Sequence, residues 1–305
     1  MRKNNREKRI KSCAGGEITV KKGKKKKILL AVFLALVFLA YFFVGMAGVG
    51  VMYTEKTLRY WTPDYKMVDI SPILEKETLT KEDYDILYRQ TGVTKLGVDS
   101  MRAQSYFAGK MLDIQESFFR RRDLVVENFG PFCYSEMMDI QSYKDYSVVA
   151  DLRDGDILVS NSMRVSWWRF GHSALVVNGQ SRLILEAMEP GLKSMVNYVN
   201  TFEVRPNFIL LRPKIDEKIK KEVASYAFDN LRGLEYNLYP GVFSPKFEEN
   251  ITKTHCSHVV WYAYKKFNID IDSNGGGIVT PEDIYNSEYM EVVQVFGLNP
   301  DTLWG

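Results

Sequence analysis

Residues 28–53, ILLAVFLALVFLAYFFVGMAGVGVMY, carry no charge, and no other stretch limits the chain so severely. As a helix these residues run about 39 Å, enough to cross about 30 Å of hydrocarbon with some tilt. A cleaved signal peptide needs only about 7–15 apolar residues, and a buried core helix has no use for so long an uncharged run. The first 27 residues hold 12 Lys or Arg against two Glu, and six of the seven residues in 21–27 are lysine. Glu55, Lys56 and Arg59 on the other side are few and mixed. The positive-inside rule predicts a cytoplasmic basic tail, 1–27, and places everything after Tyr53 outside. Gly45, Gly48 and Gly50 can support helix pairing.

The net charge of +3 therefore hides an acidic remainder: +3 less the tail's +10 leaves −7. That balance excludes nucleic acid as a partner of the folded part. Three cysteines are too few for a disulfide framework. His255 and His258 flank Cys256 with poor geometry for one metal ion. No metal and no cofactor is expected.

Residues 54–148 read as a helical stalk or cover with a polar surface. Thr80 is a candidate N-cap, with Gly92 as the stop. Asp99 or Ser100 is the expected cap of a second helix over 101–122, with Met111, Ile114 and Phe118 on its apolar side. From about residue 148 the pattern turns to short strands at 155–160, 172–178, 182–188 and 208–213. An amphipathic helix follows at 214–231, then a helix from Cys256, a short helix at 280–284 opened by Thr280-Pro281, and a strand at 291–296. Strands packed with helices to one side predict an α+β domain over 149–305.

Cys256, in THCSHVVWYAYKK, stands where a loop gives way to a helix whose Val260, Ala263, Tyr264 and Phe267 recur at helical spacing. There it meets unpaired N–H groups and the positive end of the dipole, both of which favour thiolate. A buried structural cysteine is the alternative. A nucleophile needs a base. Of the three histidines, His255 is adjacent and poorly placed to turn its ring onto the same sulfur, and His258 points to another helix face. His172 begins a strand after Phe170-Gly171 and is the best candidate. Glu186 interrupts the apolar strand LILEAM, and a carboxylate there needs a partner. It is the candidate to orient His172.

Register decides whether these two can meet. A two-residue turn at Asn178-Gly179 would put Glu186 on the wrong face. A three-residue loop sets Glu186 opposite His172, and a five-residue loop makes them diagonal neighbours. An odd loop or a bulge is predicted, because the buried glutamate needs a partner. Trp167, Trp168 and Phe170 precede His172 and are candidates to line a substrate site, with packing at a strand edge as the alternative.

The blocks DLRDGDILVS, FGHSALVVNG, LILEAMEPG, THCSHVVWYAY and VTPEDI, in that order, resemble the circularly permuted papain-like cysteine hydrolases. These form the YiiX-like branch of the NlpC-type superfamily, relatives of lecithin:retinol acyltransferase. The resemblance covers roughly residues 150–296 and does not reach 1–149. It implies a permuted papain-like fold with Cys256 as nucleophile, His172 as base and Glu186 as orienting residue. It also points to Asp156 in the GDIL block and to Tyr236 in LEYN as substrate-site residues. Relatives carry an acidic residue where this chain has His258. The implied activity is a membrane-anchored, extracytoplasmic cysteine hydrolase, either an amidase or peptidase or an acyltransferase. It would work through a thioester on a peptide, lipopeptide or acyl substrate at the lipid bilayer. The alternative is a non-catalytic papain-like module that displays a cell-wall or lipid ligand site.

Overall fold

The computed structural model describes residues 25–45, 60–128, 133–165 and 169–303. The chain falls into two compact units, Met1–Lys56 and Thr57–Gly305. The first contains α1 (Lys25–Gly45), 21 residues of which 28–45 carry no charge. It measures about 32 Å, long and apolar enough to span a membrane, and its apolar side chains, among them Phe33, Phe38 and Phe43, are exposed. The predicted span continues to residue 53, but 46–53 lie outside the described residues.

The second unit opens with α2 (Ser71–Leu74) and α3 (Lys81–Thr91). The ends of α3 are the predicted ones. Thr80 accepts the Asp83 N–H while the Asp83 carboxylate accepts the Thr80 N–H, which satisfies two first-turn donors. Gly92 ends the helix at φ 69°, a left-handed cap that suits glycine.

The helix expected over 101–122 is corrected. α4 (Lys95–Met101) is capped by Thr94, and α5 (Phe107–Phe119) follows a turn. Asp99 and Ser100 cap nothing because they sit inside α4. Asp99 is engaged by Lys95 and Tyr84, and Ser100 donates to the Gly97 carbonyl. The expectation of helix throughout 54–148 also fails at 124–138. There β1 (Leu124–Asn128) and β2 (Cys133–Met138) pair antiparallel. β-Branched Val125 and Val126 suit a pleated strand better than a helix. A single 3-10 turn, Tyr143–Asp145, leads out.

The remaining elements follow in order: β3 (Ile157–Ser160), β4 (Met163–Val165), β5 (His172–Asn178), β6 (Leu183–Glu186), β7 (Met195–Tyr198), α6 (Asn200–Glu203), β8 (Phe208–Pro213), α7 (Glu217–Asn230), β9 (Glu235–Tyr236), β10 (Lys253–Thr254), α8 (Cys256–Lys265), α9 (Pro281–Tyr285) and β11 (Met290–Phe296). The main sheet is antiparallel with order β11-β8-β3-β5-β6-β7. A second antiparallel sheet joins β1, β2 and β4, and β9 and β10 form a short parallel pair. The chain is thus α+β with antiparallel sheets and one N-terminal apolar helix.

Side chains on the main sheet alternate between two cores, as the strand period requires. Leu158, Ala174, Val176, Ile184 and Leu210 pack in one core with Leu87 of α3 and with Met111, Ile114 and Phe118 of α5. Ile157, Val159, Leu175, Leu185 and Leu211 pack in the other with Val223 of α7 and with Val259 and Val260 of α8. Helices therefore cover both faces, where the sequence pattern suggested one. A strand buried on both faces reads as a plain apolar run and does not say how many layers cover it. Residues 60–148 supply one of the two layers and share its core.

The β5–β6 connection is irregular. Leu175 pairs with Leu185 and Val176 with Ile184, then the register shifts so that Asn178 pairs with Leu183. Val177 is the bulged residue. The simple Asn-Gly hairpin turn is absent, and Asn178 instead accepts the Ser181 N–H while Arg182 turns the chain at φ 56°. Continuing the strand register one residue sets Glu186 opposite Ala174, diagonal to His172. The bulge thus places both side chains on one face.

Candidate active site

α8 begins at Cys256, with His255 as its N-cap and Thr254 on β10 immediately before it. Cys256 is a free, fully buried thiol. The helix behind it is buried on all sides from Cys256 to Tyr264, more than the single apolar face expected from spacing. Such a helix start is held rigidly, which fixes the sulfur.

His172 opens β5 and pairs with Ser160 at the end of β3. Gly171 before it has φ 81°, and a Cβ there would lie 2.5 Å from the Ser160 carbonyl oxygen. Only glycine makes this turn, and the turn delivers the imidazole to the sheet end. His172 Nε2 lies 2.7 Å from Glu186 Oε2, and both side chains are fully buried. The other carboxylate oxygen accepts from Asn197 Nδ2 and from the Thr201 hydroxyl, each at 2.9 Å. With Glu186 ionised, the Nε2 proton lies on the carboxylate side. Nδ1 has no hydrogen-bond partner among the described residues and is the nitrogen left for the neighbouring Cys256 thiol. Phe202 stacks on the imidazole at 5.5 Å between ring centres.

Burial alone would push each of the three groups toward neutrality. It raises the Cys256 thiol, but the neighbouring imidazoles, His172 before His255, outweigh it and leave the thiol well below its ordinary value. Burial and the Arg205 charge lower His172, yet bonds to Cys256 and Glu186 raise it overall. Burial raises Glu186, but the bond and charge of His172 and the charge of Arg205 bring it below its usual range. The set favours thiolate, imidazolium and carboxylate.

Cys256, His172 and Glu186 thus come together from α8, β5 and β6. Tyr236 lies close by, paired on β9 with Thr254, two residues before Cys256. Trp168, with Trp167, lies outside the described residues. Asp156 is a correction. It precedes β3 at the end remote from Ser160, about 13 Å along the strand from the residue paired with His172. Its buried carboxylate is clamped by Arg212, with Nε at 2.9 Å and Nη2 at 2.6 Å. It anchors the sheet rather than the substrate.

His255 is a second correction. Its ring, expected to miss the sulfur, is buried beside it and helps lower the Cys256 thiol. As the cap it accepts the His258 N–H at Nδ1, which fixes the backbone turn and swings the ring inward. His258 is held down to about 3, chiefly by burial. It is a neutral tether, with Nε2 2.8 Å from the Lys246 carbonyl and Nδ1 3.0 Å from the Thr254 hydroxyl.

Several contributors carried no sequence signal. Arg205 is fully buried, donates from Nη1 to the hydroxyls of Ser135 and Ser162 at 3.2 Å, and projects positive charge onto Glu186 and Cys256. Glu136 of β2 takes both guanidinium ends of Arg169 at 2.9 Å, just before the Phe170-Gly171-His172 turn. The one visible clue was compositional: arginine in FEVRP and glutamate in CYSEMM sit among apolar neighbours. Beside the site, a cleft of about 340 Å³ is lined by Tyr239, Pro240, Phe243, Ile251, Lys253 and His258. Among the described residues no three His, Cys, Asp or Glu side chains cluster as metal ligands. No protein-family model, curated protein or solved structure matches the chain.

Proposed function

We propose that residues 149–305 are a permuted papain-like cysteine hydrolase domain that forms a thioester on Cys256. The observation that carries this reading is a buried imidazole, His172, whose Nε2 is held 2.7 Å from Glu186 and whose Nδ1 has no partner among the described residues, next to the buried Cys256 thiol. The Cys256 thiolate attacks an amide or ester carbonyl, and a C–S bond forms as the carbonyl electrons move to oxygen. The imidazolium of His172 gives its proton to the leaving nitrogen or oxygen as that bond breaks. Water, or another acceptor hydroxyl or amine, then attacks the thioester as His172 takes its proton, and the C–S bond breaks to release the acyl product and restore the thiolate–imidazolium pair. Glu186 holds the tautomer and stabilises the imidazolium. The cleft beside α8, with the exposed ring of Phe243 at its edge, suits an apolar acyl or peptide side chain.

An activated acyl donor, quenched in acid, is expected to leave its acyl mass on the peptide that contains Cys256. Acylation elsewhere, or none while the thiol alkylates readily, would refute the thioester route.

The same reading anchors the domain by α1, with the basic tail inside and residues 54–305 outside. Protease added to intact cells is expected to remove the domain and spare the tail. Protection of the domain would reverse the topology.

A further inference from the structure

We propose that His255 is a catalytic residue whose Nε2–H donates to the oxyanion formed when Cys256 attacks a carbonyl. The inference rests on the thioester reading above and adds to it the group that receives the developing charge.

His255 is fully buried, held edge-on to Phe170 at 5.6 Å between centres. Its Nδ1 accepts the His258 N–H to cap α8. A nitrogen that accepts a hydrogen bond carries no proton, so the proton is on Nε2. Nε2 has no hydrogen-bond partner among the described residues. Buried donors are almost always paired, and one left free is a group awaiting a ligand. His255 adjoins Cys256 in the chain and its ring packs on Phe170, two residues before His172, which on this proposal sets Nε2 where a carbonyl bonded to the sulfur would carry its oxygen. The N–H groups of Cys256 and Ser257 open α8 without intrahelical partners and are further donors at the same helix start. The side chain and the helix start together supply donors to one oxygen. His172 cannot share this task, since both its nitrogens are committed to Glu186 and to the thiol proton.

The capping and donating roles can be separated. His255→Ser keeps a cap acceptor for the His258 N–H and removes the Nε2 donor. Two reactions of the full-length protein in detergent are compared. Acylation by p-nitrophenyl acetate passes through an oxyanion, whereas alkylation by iodoacetamide does not. Alkylation is read at its high-pH plateau, where the thiol is fully ionised. The variant is expected to acylate about 10²–10³-fold more slowly, with the alkylation plateau little changed. His255→Asn, whose Oδ1 also caps but whose amide is too short to reach the same point, is read in the same way should the serine variant fail to fold. An unchanged ratio of acylation to alkylation in a folded variant overturns the proposal, because His255 would then act only on the thiol or the helix. Wild-type protein that alkylates but never acylates defeats the thioester reading and this proposal together.

Discussion

Cys256→Ala is expected to reduce turnover of an acyl substrate by on the order of 10⁵–10⁶-fold, because a nucleophile's removal leaves only what binding and the oxyanion donors supply. The fold should survive. Cys256 is buried but small, and losing its sulfur costs about 1 kcal/mol. Urea unfolding of the two proteins checks this. The wild-type pH profile is the companion test. The thiol lies well below its ordinary value and His172 above its own. Acylation is therefore lost as pH falls through the lowered value, where thiolate takes up a proton. It is lost again as pH rises through the raised value, where the imidazolium that protonates the leaving group disappears. Between them lies a plateau whose limits belong to the pair. A rate that simply climbs through about pH 8.5, as for an ordinary thiol, would show that the two groups do not interact.

Glu136→Ala is expected to destabilise the second unit by about 3–5 kcal/mol, since it removes the acid from a buried ion pair and leaves the base behind. Glu136 is 1% exposed, and Arg169 engages both of its oxygens. Arg164 reaches the same carboxylate at 3.4 Å. The loss should extend to the site. Arg169 also donates to the Asn161 carbonyl and stands three residues before His172, so its release frees the turn that delivers the base. Turnover should fall even at temperatures where the variant remains folded, and thiol alkylation should lose its enhancement at low pH. A midpoint shift of under about 1 kcal/mol, the range of a surface pair, would mean the carboxylate is not the anchor described.

This pair also shows why residues 60–148 were hard to read. Their helix boundaries depend on local chemistry, and the caps Thr80 and Gly92 were legible for that reason. Asp99 and Ser100 have the same cap-forming side chains as Thr94, and only the packing of α4 on β11 selects Thr94, whose hydroxyl donates to the Val292 carbonyl. The β1–β2 pair escaped notice because β2 is completed by β4, a partner remote in sequence. At the site, Glu186 was legible because a charge in an apolar strand demands a partner. Asn197, Thr201 and Arg205, which provide or tune that environment, are ordinary polar residues until the chain folds.

The sequence by itself determined the uncharged span, because burial in hydrocarbon depends on length and composition alone. It also determined the order of the longer strands and helices of the second half, though not the short β4, β7, α6, β9 and β10, and the identity of a thiol, an imidazole and a carboxylate available for one site, since periodicity and helix-end chemistry are local. The tertiary structure decided the rest. It chose a bulge at Val177 over the Asn-Gly turn, which sets the face on which Glu186 lies. It assigned Asp156 to Arg212 and brought His255 to the sulfur. Each of these outcomes is a choice among partners distant in the chain, and the choice is made by which buried groups can be satisfied together.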